Sequence, residues 1–191
     1  MKTLLKLIML SFFVSLSSCE NEEITSENAL DREPKDEKSL CETAYAYGKK
    51  DEAICFLDDD DLNSNKWGWT IGPISAYHNQ SYPIYQAAGG CNLDNGEEIG
   101  TLTIVYESDY VLVDFVAHEG YGFFETHLFV GNEKYPRKRN GQFTVAPGQY
   151  TEGHNISDGA LDDSYKIDDV DGDIYVIAHA VVCPFKKDEK F

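Results

Sequence analysis

The feature that most constrains what this chain can fold into is a period of two. In "IGTLTIVYE", Leu102, Ile104 and Tyr106 fall on one side of an extended chain, and Thr101, Thr103 and Val105 fall on the other. That is the pattern of a strand with one face in a core. "YVLVDFVAH" follows after the turn-forming Ser108 and Asp109, so the two runs predict a β-hairpin. "ETHLFVG", "TAYAYG", "WGWTIG" and "SYPIYQAA" are further strand candidates, and no stretch shows a helical period. "DIYVIAHAVVC" is apolar on both sides, which predicts a central strand. With turn signals such as "DNGEE", "RKRNGQ" and "VDGD" between them, seven or eight short strands predict an all-β fold, an antiparallel β-sandwich or jelly roll. There is no internal repeat and no second domain, and the expected bounds of the domain are residues 41–184.

The start of the chain reads differently. Lys2 and Lys6 precede a short apolar run at residues 7–10 and 12–14, the charged start and greasy middle of an export signal over residues 1–18. The run is too short to cross a bilayer, which takes about 20 apolar residues. Leu16, Ser17 and Ser18 lead directly into Cys19 and resemble the lipobox of bacterial lipoproteins, which makes the Cys19 thiol the expected lipid attachment point. Each buried acyl CH₂ contributes about 0.8 kcal/mol, so several palmitate-like chains anchor stably. Glu20, Glu22 and Glu23 resemble the acidic tag that directs Bacteroidota lipoproteins to the outer face of the outer membrane. Residues 20–40 are dense in charge and hold no aromatic residue, and so predict a flexible tether. The tail from 185 to 191 is expected to fray.

Cys19 aside, four cysteines remain: Cys41, Cys55, Cys91 and Cys183. An even number in an exported chain predicts two disulfides, with three connectivities open. Cys41 and Cys183 bracket the domain, so a bond between them would tie the first strand to the last and leave Cys55 for Cys91. Free thiols or a metal site are the alternative, although the spacing holds no C-x-x-C pair.

Sixteen Lys and Arg against 34 Asp and Glu give a net charge of −18. Such a surface repels phosphate backbones and argues against nucleic acid as a partner. Cations, basic surfaces and neutral sugars remain.

Several phrases occur together in order between Cys41 and Cys183: "ETAYAYG", "WGWTIGPIS", "YQAAGGCNL", "GTLTIVYE", "ETHLFVGNEKYP", "TVAPGQY" and "IYVIAHAVVC". Together they resemble an uncharacterised family of exported β-domains in Bacteroidota surface proteins. The resemblance implies a β-domain and assigns no activity. Members of that family usually carry Asn after the "GWT" phrase and Gln before the central cysteine, where this chain has Ile71 and Gly90.

Four groups of residues could carry chemistry. Trp67 and Trp69 are two apart, which on a strand turns both rings to one face, where they could stack on sugars or fill core. Glu125 and His127 share a strand face, and with His179 they could bind a metal or exchange protons if their strands are neighbours. Asp59, Asp61 and Asn63 alternate in one acidic stretch and Asp169, Asp171 and Asp173 in another, a spacing of oxygen ligands that suits calcium. Neither stretch completes the helical-hand pattern, and each also reads as a solvated turn. The basic run "KYPRKR", Lys134 to Arg139, is either an exposed loop or a docking patch on an acidic protein. No nucleophile elbow, phosphate loop or zinc-protease motif is present.

These readings lead to a cell-surface lipoprotein whose sandwich binds carbohydrate or a partner protein without catalysis. A structural accessory domain of an envelope complex and a carboxylate-based glycoside hydrolase are the alternatives, the latter needing two facing acids about 5 to 9.5 Å apart.

Overall fold

A strand that is apolar on both faces must be covered on both, and the position of one such strand organises the domain. The computed structural model describes residues 40–49 and 51–185. The proposed leader, Cys19 and its acidic neighbours, nearly all of the tether, and the tail beyond Phe185 lie outside them. Among the described residues no helix is long and apolar enough to cross a membrane.

The chain runs through β1 (Glu42–Ala46), β2 (Ala53–Cys55), β3 (Trp69–Ile74), β4 (His78–Gln86) and β5 (Glu97–Tyr106). It continues through β6 (Tyr110–Ala117), β7 (Tyr121–Gly131), β8 (Glu152–Ala160), β9 (Asp162–Asp168) and β10 (Ile174–Pro184). Every pairing is antiparallel. The strand that is apolar on both sides, β10, is the hub. Its Tyr175 to Pro184 run pairs with β7 on one edge, while the other edge pairs with β3 near Ile174 and with β1 near His179. From β1 the ladder continues through β4, β5 and β6 to β9, and β8 lies outside β7.

The sheet returns on itself as a β-sandwich, as the alternation requires. Phe115 of β6 meets the Phe123 ring of β7 edge-on at 5.9 Å and the Tyr165 ring of β9 at 6.0 Å. The inner faces supply the main core: Leu102, Ile104 and Tyr106 of β5 and Val111, Val113 and Phe115 of β6 lie in one buried cluster with Leu128 of β7 and Ala178, Ala180 and Val182 of β10. Completely burying a side chain of this size stabilises by about 1.5 to 3 kcal/mol. One polar bridge crosses this interior, where the Thr126 hydroxyl of β7 meets the Tyr165 hydroxyl at 2.6 Å and donates to the Asp163 carboxylate of β9.

Ten strands form where seven or eight are predicted. The additions are β2, β8 and β9, which pair at the rims of the sheet and carry little apolar alternation; β8 is exposed along most of its length. Both disulfides form, Cys41 to Cys183 and Cys55 to Cys91, across 142 and 36 residues of chain. All four thiols are thereby consumed, which removes the free-thiol and metal alternatives for them.

Candidate functional site

The outer face of β10 is covered by loops. A second cluster gathers there, with Tyr45, Phe56, Trp69, Phe129, Tyr135 and Ile177 at its centre. It is roofed by two long connections, residues 56–68 before β3 and residues 132–151 before β8. Connections of that length in a compact domain usually carry function.

One side-chain contact fastens the roof. Asp59, with its side chain 7 % exposed, accepts from the Lys134 ammonium at 2.8 Å, the Tyr135 hydroxyl at 3.1 Å and the Asp61 amide at 2.9 Å. Burial pushes the Asp59 carboxyl up; the Lys134 ammonium and the two other donors outweigh it and hold the group below the ordinary carboxylate value. Because the folded carboxyl titrates lower than the unfolded one, the fastening is complete above about pH 4 and is lost as pH falls further. Asp59→Ala is expected to cost about 2 kcal/mol, since it strands an ammonium and a hydroxyl together. Urea unfolding at pH 7 measures this, and a loss below about 0.5 kcal/mol would show that the clamp is not holding the loops.

This contact also bears on the first acidic stretch. Asp61 faces the same ammonium at 3.5 Å, so Lys134 supplies a cation to both Asp59 and Asp61, while Asn63 of the calcium expectation lines the neighbouring trough. In the second stretch, the Asp173 carboxylate accepts from the Ser75 hydroxyl at 2.7 Å, and the Asn132 amide donates to the Asp171 and Asp173 carbonyls. Asp169 sits at a φ of 60° in the turn. Among the described residues no group of three or more His, Cys, Asp or Glu side chains could hold a metal ion.

Beneath the roof, register lines up one row of residues across five strands: Gly153, His127, His179, Tyr45 and Tyr85. The imidazoles of His127 and His179 are 5.3 Å apart, and Tyr45 lies 4.9 Å from His179. The sequence condition that their strands be neighbours is met. The third member, Glu125, meets His127 Nε2 at 3.4 Å. A Cβ at position 153 would come within 2.9 Å of His127 Nδ1, so the strand has to be bare where the ring rests. The cluster does not converge as a ligand set: His127 Nε2 is engaged by Glu125, and among the described residues no group of three or more such side chains could hold a metal. It assembles one carboxylate, short of the facing pair a glycoside hydrolase uses.

His179 is 6 % exposed and its Nδ1 has no partner. Burial first, then the neighbouring His127 and Lys66, lower its pKa to about 3, and the ring is neutral in ordinary buffers. Burial likewise raises the Tyr45 hydroxyl to about 12, while its hydrogen bond with Tyr150 pulls the other way.

The tryptophans meet on this face, but not as a platform. Trp69 is 2 % exposed and belongs to the cluster, which withdraws it as a glycan-stacking residue. Trp67 is half-buried, stands edge-on to Trp69 at 5.7 Å and 73°, and contacts Tyr45 at 5.3 Å. Gly68 between them, at a φ of 134°, lets the chain press onto Phe56, whose ring would be 2.6 Å from a Cβ there. Only Trp67 is left with a surface to offer.

Next to Trp67 the two roof loops diverge and enclose an open trough of about 570 Å³. Asn63, Ser64, Asn65 and Lys66 line one side, and Lys138, Phe143 and Thr144 line the other. A smaller trough of about 290 Å³ lies over the Cys41–Cys183 bond, bounded by Glu125 and Asn155. Of the larger trough's lining, the sequence reading had singled out only Asn63, for calcium, and the basic run containing Lys138. No family model, curated protein or solved structure matches this chain.

Proposed function

We propose that this chain is a non-catalytic binding module for carbohydrate, carried on an outer-membrane lipoprotein that faces the cell exterior. In this reading Cys19 holds the lipid, residues 20–40 form the stalk, and the domain is one of the exported β-domains of Bacteroidota surface proteins that its phrases resemble. The observation that supports it is the larger trough. Its walls offer amides and hydroxyls from Asn63, Ser64, Asn65 and Thr144, with the Phe143 ring between them and the half-buried Trp67 beyond Lys66. Sugars are held by that mixture of apolar surface and a few placed polar groups. Two disulfides suit an oxidising, extracytoplasmic site.

A glycan array probed with the secreted Cys19→Ser protein, in calcium and again in chelator, tests the proposal. Binding is expected to be the same in both, because Lys134 already neutralises the first acidic stretch, and to fall at least about tenfold in Trp67→Ala. Absence of binding by folded, disulfide-bonded protein would overturn the carbohydrate reading in favour of a protein partner in the envelope.

A further inference from the structure

The cations of the domain are unevenly used. Lys134, Arg137 and Lys166 are paired with carboxylates, and Lys49 donates to Gln80. Lys66, Lys138 and Arg139 have no side-chain partner among the described residues. On a chain of net charge −18, a free lysine ordinarily finds an acid, and four of the other cations show the rule or come close to it. The three that do not are gathered at one place. Lys66 of one roof loop and Lys138 of the other both line the 570 Å³ trough, and Arg139 follows Lys138 in the chain. Both lysines are exposed, so neither contributes to holding the loops together. The Asp59–Lys134 clamp fixes the two loops on which they ride.

We infer that the trough selects anionic oligosaccharides, with Lys66 and Lys138 receiving the carboxylate or sulfate groups of a sugar chain. This rests on the carbohydrate reading above and narrows it. Charge complementarity carries the step. An anion approaching this protein is repelled over most of its surface and attracted where the uncompensated ammonium groups lie, so the acidic remainder sharpens the choice of docking place. A sugar fits this surface better than an acidic peptide does. The lining places isolated cations among Asn63, Asn65 and Thr144, and a hexuronate chain likewise spaces single charges among hydroxyls, whereas the paired amide groups of an extended peptide need a free strand edge that the trough lacks. One face of the Phe143 ring is covered by the Arg137 guanidinium, 4.0 Å from the ring centre, so the ring lines the trough without offering that face to a ligand.

The test is titration calorimetry on the secreted Cys19→Ser protein with four probes: tetragalacturonate, a heparin-derived tetrasaccharide, fully methyl-esterified tetragalacturonate and hexaglutamate. At least one of the two acidic sugars is expected to bind about tenfold or more tightly than the neutral ester. That binding should fall by about the same factor in Lys66→Gln and again in Lys138→Gln, stay unchanged in Lys49→Gln, and weaken as NaCl is raised from ~0.05 M to ~0.5 M. Because Lys66 and Lys138 are exposed and unpaired, both variants should unfold at the parental urea midpoint, which separates lost binding from lost fold. Equal binding of the ester, unmoved by salt or by the lysine variants, overturns the anionic selection and leaves the carbohydrate reading standing. Hexaglutamate binding as tightly as the acidic sugars overturns the glycan assignment in favour of an acidic peptide, and no binding of any probe overturns both.

Discussion

Replacing Cys41 and Cys183 together by alanine is expected to lower the free energy of unfolding by about 5 kcal/mol, because the bond closes a loop of 142 residues and the unfolded chain regains that entropy. The corresponding figure for Cys55 and Cys91, across 36 residues, is about 4 kcal/mol. Domains of this kind are stable by only about 5 to 15 kcal/mol, so the first variant approaches the limit of folding at all. The order of the two is the sharper part of the expectation. Cys55 and Cys91 fasten β2 to the short turn before β5, under the roof, whereas Cys41 and Cys183 join the outer ends of two strands that are already hydrogen-bonded neighbours. Urea unfolding of both double variants at pH 7 measures each. A loss of under about 1 kcal/mol for Cys41/Cys183 would mean that the pairing of β10 with β1 and β7 restrains the chain ends without help, against the loop-entropy account.

Acid should act through His179. The folded ring titrates near 3 and the unfolded one near 6.5, so the unfolded chain binds a proton that the folded domain refuses. Stability from this source is complete above pH 6.5 and declines as pH falls toward 3. Between pH 6.5 and 4.5 the decline amounts to about 2 kcal/mol, in a window that lies above the range where Asp59 is protonated. Burial is the largest cause, and the imidazole of His127 across the β7 and β10 pair and the ammonium of Lys66 add to it. His179→Leu should flatten stability over that window while leaving the far side of the sandwich untouched. Matching pH profiles for the variant and the parent, measured by urea unfolding, would mean that the folded ring accepts its proton after all.

How legible this protein is depends on which face of a strand is asked about. The inner faces repeat with period two, and Leu102, Ile104 and Tyr106 stand in the core where their spacing puts them. The double-sided apolar run of β10 announces its central place in the same way. The rim strands β8 and β9 escape detection because a strand paired on one edge and wet on one face needs few apolar residues. The site is legible in parts. Glu125, His127 and His179 are brought together, since same-face residues on paired strands meet once the register is fixed. Trp67 and Trp69 share a region yet differ in exposure, because Gly68 turns the chain between them and period two no longer applies. The acidic stretch at Asp59 could not be read correctly from its own residues. Its partner Lys134 is 75 positions away, and only the folded roof brings the two together. The trough arises from the same long-range pairing of loops, which leaves no local signal.

The position of β10 in the ladder also sets a timetable. Three strands made early, β1, β3 and β7, share it as their neighbour, and it is the final strand to be synthesised among those described. Until residues 174–184 arrive, β1 and β3 have no partner on one edge and the inner cluster lacks its middle wall. Contacts that span this much of the chain close slowly and late. The domain therefore lacks its core until the last of these strands is available, and then commits in one cooperative step. Any chain interrupted before residue 174 is correspondingly expected to be protease-sensitive, with no half-built domain left behind.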